Sequence, residues 1–442
     1  MSLEPPEKVG KLQAALHDKA KRCPAYRFYL LYDKLYRIDV LAHAYACCRS
    51  NAGAPGVDGQ DFADIEEYGR ARWLGELAEE LRKKTYQPQP VRRVWIPKAD
   101  GKQRPLGIPT IRDRVVQMAA VLVLEPIFEA DLQPEQYAYR PKRSALDAIK
   151  VVNGWLRRGY TEVVDADLSG YFDTIPHAEL LQSVARRVSD RHLLHLVKMW
   201  LEAPVVETDE HGRTRRTTRN KDERRGTPQG GVISPLLANL YMRRFVLGWK
   251  TLGHEQRLDA HIVNYADDFV ICTRPGGAEP ARQAMQGMMT RLRLTVNETK
   301  TRISRLPEET FDFLGYTFGR QYSRQTGAAY LGPKPSKRKV ARLCATISAV
   351  TDRRTTWQDV REVVVQLNRS MRGWANYFSV GTVVHAYEVV QGHARRRLRR
   401  WLCDKHKVRR GGYARFDNAY LHGELGLHLL PGCSRGLVCA TS

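Results

Sequence analysis

Between Ile262 and Cys272 the chain reads IVNYADDFVIC: two apolar runs of strand-like composition, with the carboxylates Asp267 and Asp268 set between them. β-Branched and aromatic residues favour a pleated, half-buried backbone, so the segment predicts a core β-hairpin with two negative charges at its tip. An ionised carboxylate taken out of water without a partner is costly enough to protonate or to destabilise the fold. The same conflict recurs upstream. In VVDADL, Val163 to Leu168, Asp165 and Asp167 fall at i and i+2 on one face of a strand whose other positions are apolar. A cation resolves both placements: grouped together, Asp167, Asp267 and Asp268 can stay ionised around divalent metal.

Magnesium suits such a set, because it binds through a few carboxylates and keeps its other positions for water and substrate phosphates. Two Mg2+ ions about 4 Å apart can activate an attacking 3′-hydroxyl and stabilise a leaving pyrophosphate, which is the chemistry of a polymerase. The other parts of one are present. VRRVWIPKADGKQRPLGIP predicts a β-hairpin turning at Asp100-Gly101, with Lys98 and Arg104 near the tip as a triphosphate clamp. Farther on, RRGTPQGGVISPLLANLYM predicts a Gly-rich loop feeding a helix, with Ser234 as N-cap and Pro235 at the first helical position. Gly226, Gly230 and Gly231 flank Gln229 in that loop and would let the backbone approach a base pair.

Charge points the same way. With 72 Lys and Arg against 48 Asp and Glu, the 442-residue chain carries +24, which calls for a polyanionic partner. The densest run, HARRRLRRWLCDKHKVRRGGYAR, holds Arg395, Arg396, Arg397, Arg399, Arg400, Lys405, Lys407, Arg409 and Arg410, interrupted by Trp401 and Tyr413. Cations for phosphates interleaved with rings for bases predict a nucleic-acid surface. No amphipathic helix with a large apolar face accompanies the run, so a membrane is the weaker partner. The one long apolar stretch, VVQMAAVLVLEPIF from Val115, is interrupted and too short to span a bilayer. The opening MSLEPPEKVG has no targeting signature, so a cytoplasmic address is expected. Eight cysteines without CxxC pairs indicate neither a zinc ribbon nor a disulfide framework, and Cys403-x2-His406 lacks a second pair at finger spacing.

In combination these motifs resemble a reverse transcriptase of the bacterial group II intron type, over nearly the whole chain and in order. YADD is similar to the family's catalytic hairpin, ADLSGYFD to its first catalytic strand and GTPQGGVISPLLANLYM to its loop-helix motif. WIPKADGKQRPLGIPTIRDR resembles the fingers motif, GAPGVDG the amino-terminal loop, NETKT and FLGYTF the motifs after the catalytic hairpin, and RSMRGWANYF the thumb or maturase region. The resemblance implies that Asp167, Asp267 and Asp268 bind the metals, with the Leu168 carbonyl as a further ligand. It implies that Lys98 and Arg104 hold the triphosphate and that Gln229 lies near nucleotide and template. Phe172 takes the position that excludes a ribose 2′-hydroxyl, Lys300 that of a proton donor to pyrophosphate, and Phe313, Leu314, Gly315 and Tyr316 that of the primer grip. Asp165 is not a ligand in the family pattern; lying on the same strand face, it is one candidate for an outer partner, and its role is open.

The implied architecture is α+β, a right hand: an amino-terminal extension and fingers over residues 1–160, interleaved with the palm; a palm with a small antiparallel sheet over 161–332; a helical thumb or maturase domain over 333–390; and a basic DNA-binding region over 391–442. The implied function is RNA-directed DNA synthesis from an RNA template, a DNA primer and dNTPs. Such proteins also assist splicing and homing of their own intron, so its RNA and a target DNA are further expected partners. The end of the chain offers Cys433 and Cys439 without a histidine cluster, so it resembles the short members that lack an endonuclease. Two other readings share these motifs: an intron-free descendant serving DNA repair or phage defence, and a splicing cofactor that binds RNA without catalysis. The intact aspartates speak against the second, and Phe172 speaks against an RNA-dependent RNA polymerase. Oligomeric state is open.

Overall fold

A computed structural model describes residues 3–97, 101, 103–208, 213–323 and 326–433. Its strands are β1 (Val91–Pro97), β2 (Gln103–Ile108), β3 (Glu162–Ala166), β4 (Val205–Thr208), β5 (Thr214–Thr217), β6 (Ala260–Tyr265), β7 (Asp268–Thr273), β8 (Arg302–Arg305), β9 (Phe311–Phe313), β10 (Tyr316–Tyr322) and β11 (Ala329–Pro335). They form sheets in the orders β2-β1-β4-β5, β6-β7-β3-β8 and β11-β10-β9. The mixture of helices with small, largely antiparallel sheets is the α+β class expected. No helix among the described residues is long and apolar enough to cross a membrane.

The chain divides into two compact units, one of residues 1–144, 166–269 and 279–301, the other of 145–165, 270–278 and 302–442. In the first, helix Ile111–Glu129 is buried on nearly every side, as a helix that is apolar all round must be. Thr110 caps it, its hydroxyl accepting from the Asp113 amide at 3.1 Å. The expected hairpin forms with Arg92 opposite Ile108 and Pro97 opposite Gln103; its tip residues 98–100 and 102, Lys98 among them, lie outside the described residues. The basic hairpin β4–β5 extends the same sheet through a parallel pairing of β1 with β4, Val91 facing Val205.

The sequence reads as one helical stretch over residues 178–202 and offers Ser234 as an N-cap; both expectations are corrected. The helical stretch over 178–202 is two helices, His177–Ala185 and Arg191–Leu201, because Asp190 caps the second through the amides of His192 (3.0 Å) and Leu193 (3.3 Å). Its other oxygen takes the amides of Leu31 and Tyr32, so the break also ties down the amino-terminal segment. Ser234 is the first residue of helix Ser234–Thr251 rather than its N-cap, which is Ile233; its hydroxyl donates instead to the Pro228 carbonyl at 2.8 Å.

In the second unit, helices Lys337–Val350, Val360–Tyr377 and Val384–Lys405 bury apolar stripes against one another. In Val360–Tyr377 the buried set is Val363, Val364, Leu367, Met371 and Ala375, the spacing of one helical face. The third helix crosses residue 390, and a single core runs from Leu343 through Val390 and Trp401 to Leu430. Residues on either side of the expected boundary therefore share one hydrophobic interior.

Candidate active site

Asp267 follows a left-handed residue, Ala266 at φ 58°, in the turn between β6 and β7. A non-glycine residue there is sparsely populated and needs support. Buried Asn264 supplies it, its Nδ2 donating to the carbonyls of Ala266 (2.8 Å) and Asp268 (3.4 Å). Asp267 is half-buried and Asp268 exposed, so the apolar neighbours fill the core while the carboxylates stay out of it.

Asp167 lies just past β3, so Asp165 and Asp167 do not share a strand as expected; the strand ends at Ala166. Asp165 faces Arg302 across β3–β8, Arg302 Nε standing 3.6 Å from its Oδ2. At the far end of β7, the Thr273 hydroxyl donates to the carbonyl of Glu162, the first residue of β3 (3.1 Å). The last residue of β7 thus meets the first of β3, which directs Asp268, at the start of β7, toward the end from which Asp167 emerges. The phenol of Tyr171, four residues after Asp167, is pushed well up by burial, then by Tyr241 and by the charge of Asp267.

The segment Thr295–Lys300 docks beside Asp167. The amide of Asn297 donates to the Asp167 carbonyl (2.8 Å) and that of Ser169 to the Thr295 carbonyl (2.9 Å), with Leu168 bridged to Val296 between them. Two bonds flanking that antiparallel pair leave the Leu168 carbonyl outside the ladder. Lys300 Nζ and Asn297 Nδ2 reach the Asp167 carboxylate at 3.0 and 3.3 Å. A cation, the Lys300 ammonium, already sits on this aspartate, and carboxylate oxygens are donors that a hard divalent ion also takes. Among the described residues no group of three or more His, Cys, Asp or Glu is gathered as a metal site.

The residues expected near the nucleotide form a chain. Arg104 Nε donates to Gln229 Oε1 (3.1 Å), and Gln229 Nε2 donates to Asp173 Oδ2 (2.8 Å). The loop glycines serve protein contacts rather than an open approach: a Cβ on Gly230 would lie 2.4 Å from the Gly107 carbonyl oxygen, and one on Gly226 3.1 Å from that of Asp173. The loop is clamped to the Phe172 segment by the Thr227 amide on the Phe172 carbonyl (2.7 Å). Phe172 is buried, its ring edge-on to Tyr171 at 5.8 Å.

Sequence reasoning missed Asn264, Asn297, Asp173 and Tyr139. Tyr139 is exposed, held at φ 52°, and its phenol is pushed up by burial first and then by Asp267, with Arg104 working the other way. Tyr139 stands in EQYAYRPKR, a polar run in which a second tyrosine gives no local pattern to single it out.

These elements carry a recognisable pattern. Residues 96–318 match the family described as reverse transcriptase (RNA-dependent DNA polymerase), and residues 340–418 the group II intron maturase-specific domain. The chain belongs to the reverse transcriptase family. It is 33% identical to Protein YkfC of Escherichia coli over 77% of this chain and 96% of that one. It is 34% identical to the group II intron-encoded protein LtrA of Lactococcus lactis over 50% of this chain, an alignment that spans 36% of LtrA. Among solved structures, a partial Cas6-RT-Cas1–Cas2 complex overlaps 59% of this chain and 41% of that one at TM-score 0.35 and 23% identity. The chain is accordingly an RNA-directed DNA polymerase with a maturase domain.

In this reverse transcriptase the FLGY turn lies in the second unit. Leu314 (φ 50°) and Gly315 (φ 84°) make a tight left-handed turn from β9 into β10, while Phe313 and Tyr316 point into the core. The turn is tied to the WANYF motif: Tyr377 donates to the Leu314 carbonyl and Tyr316 to the Tyr377 carbonyl, both at 2.7 Å. Phe313 and Tyr316 are thus spent on packing, and Leu314 and Gly315 stay partly exposed at the turn.

The basic run divides into two populations. Arg399 is buried, donating to the Phe416 carbonyl (2.7 Å) and Asn418 Oδ1 (2.9 Å), with its guanidinium 4.0 Å from the Tyr413 ring centroid. Arg397 donates to the carbonyls of Ser348 and Thr351, Lys405 to those of Thr356 and Gln358, and Arg395 to His422. Trp401 is buried and bonded to Thr355, so it is a core residue and no platform for bases. Arg396, Arg400, Lys407, Arg409 and Arg410 remain exposed, as does Tyr413. Four of them, Arg396, Arg400, Arg409 and Arg410, line with Tyr413 a cavity of about 560 Å³. Cys403 packs on Gly412 and His406 on Phe416.

This division is testable. Arg399→Leu is expected to cost about 2 kcal/mol, since it strands a buried carbonyl, and to lower the thermal midpoint by several degrees. Arg400→Gln should leave the midpoint alone and reduce the salt dependence of nucleic-acid binding by about one phosphate contact. Equal midpoints would show that burial does not separate the two arginines.

Proposed function

We propose that this reverse transcriptase copies RNA into DNA with Mg2+, two ions held by Asp167, Asp267, Asp268 and the Leu168 carbonyl, and that it binds a cognate group II intron RNA and target DNA. The observation that carries this reading is the Asp167 carboxylate, emerging beside the strand that Asp268 opens and drawn onto the Lys300 ammonium at 3.0 Å. When bound, the metal supplies charge that favours a deprotonated 3′-hydroxyl and offsets the negative charge growing on pyrophosphate.

The chain's own residues do the remaining work. Lys300 holds a proton beside Asp167, from where it can protonate the leaving group. Arg104, braced by Gln229, binds the triphosphate as a directed donor. Phe172 fills space that a ribose 2′-hydroxyl would need, which favours dNTPs. Lys98 is proposed as the second triphosphate cation and the FLGY turn as the primer grip. Arg396, Arg400, Lys407, Arg409 and Arg410 are proposed to hold phosphates, which carry no base identity, and so to bind without sequence choice.

Primer extension on an RNA template with dNTPs tests it. Extension is expected with Mg2+, to stop on chelation and to return when Mg2+ is restored; undiminished extension under excess chelator would overturn the metal assignment. RNA copurifying from the native host is expected to be enriched in one structured intron, and its absence would favour the intron-free reading.

A further inference from the structure

A second cationic concavity lies in the first unit, and its arginines belong to none of the catalytic motifs. It has a volume of about 600 Å³ and is lined by Arg27, Arg186, Arg243 and Arg244, with Gln182 and Ser183 among its polar wall. No acidic side chain is among its described lining residues. The helices His177–Ala185 and Ser234–Thr251 supply most of the wall; Arg243 and Arg244 stand on the second, and Arg186 caps the end of the first.

The guanidinium groups are fixed, not merely solvated. Arg27 Nε donates to the Ala185 carbonyl (3.1 Å), Arg243 Nε to that of Asp131 (2.7 Å) and Arg244 Nη1 to that of Glu179 (3.0 Å). Each such bond uses one of several N–H groups of a planar fork and sets the direction of the rest. These carbonyls are neutral, so they orient Arg27, Arg243 and Arg244 without offsetting their charge; Arg186 differs, being paired with Asp131.

The nearby carboxylates do not make up the difference. Asp131 is shared by Arg186 and Arg187, with N–O distances of 2.5 and 3.3 Å, and Glu179 is engaged by Arg293 at 3.2 Å. Burial and the neighbouring Arg186 and Arg187 charges push the Arg243 guanidinium below its usual range, against the pull of Asp131. Preorganised donors, like-charge crowding and a concave wall together describe an oxyanion site.

We infer that this cavity binds phosphate groups, and that they are those of a nucleic-acid backbone held outside the catalytic site. The inference rests on the reading of the chain as an RNA-binding polymerase. The +24 charge makes a polyanion the partner in reach, and four arginine forks drawn from three separate segments match successive phosphates better than one small anion.

The test uses the full chain with two variants at exposed positions: Arg27→Gln/Arg186→Gln, and Gln182→Glu, which places a carboxylate in the cavity at unchanged size. Binding of a structured RNA is measured across salt concentrations, beside titration with inorganic phosphate and primer extension on a short primer-template. Both variants are expected to weaken RNA binding about tenfold at moderate salt and to flatten the salt slope by about one to two, with extension and thermal midpoint unchanged. Loss of inorganic phosphate binding without change in RNA binding would keep the oxyanion site but assign it to a free anion. Wild-type affinity and slope in both variants, in both arms, would overturn the site. A wild-type chain that neither binds RNA nor extends a primer would instead break the underlying reading.

Discussion

Asp267→Ala is expected to reduce primer extension by roughly three orders of magnitude while leaving RNA binding and thermal stability nearly untouched. The loss follows from charge: several kcal/mol of transition-state stabilisation depend on the ligands that hold a metal in place, and each 1.36 kcal/mol is about tenfold in rate. Stability is spared for a structural reason. Asp267 is half-buried at a turn whose backbone is held by Asn264, through bonds to Ala266 and Asp268 that the substitution leaves in place. Alanine removes a carboxylate from a set of like charges, so the fold loses no packing of consequence. Single-turnover extension, filter binding of the same template and a melting curve would be read together. Extension at the wild-type rate would remove Asp267 from the catalytic set, and a loss paralleled by unfolding would remove the argument from the turn.

The hairpin carrying Asp267 and Asp268 was legible as a hairpin because two carboxylates between apolar runs mark the place where the chain must turn out of the core. The spacing put Asp165 and Asp167 on one strand face, whereas the strand ends between the two and Asp165 faces Arg302. Strand termini depend on which neighbour supplies the hydrogen bonds, and those neighbours lie far off in the chain. The parallel pairing of β1 with β4 was invisible for that reason, since Val91 and Val205 share no local signal. In the basic run the sequence announces charge and cannot say where it points. Arg399 and Arg400 are adjacent, yet one faces the Phe416 carbonyl in the core and the other solvent. A helix rotates about 100° per residue, so a phase that the charges themselves do not reveal decides between anchoring and binding.

Asp173→Leu is expected to raise the KM for dNTPs about five- to tenfold with a smaller change in kcat. The reason lies in the one-sidedness of its neighbours. A carboxylate can only accept and a guanidinium can only donate, so the Gln229 amide between Asp173 and Arg104 has one satisfactory orientation, Nε2 toward Asp173 and Oε1 toward Arg104. Without the carboxylate the amide loses that preference, and when it turns its NH2 toward Arg104 two donors face each other. Arg104 is then no longer braced where a triphosphate would meet it. One charge-assisted bond in a solvent-accessible position is worth about 1 to 1.5 kcal/mol after screening, which sets the size of the effect. Asp173→Asn, whose Oδ1 can still accept from Gln229, should recover part of the affinity, whereas a purely steric role would make Leu and Asn alike. Steady-state kinetics with varied dNTP separate these cases, and an unchanged KM in the Leu variant would show that Arg104 is held by other means.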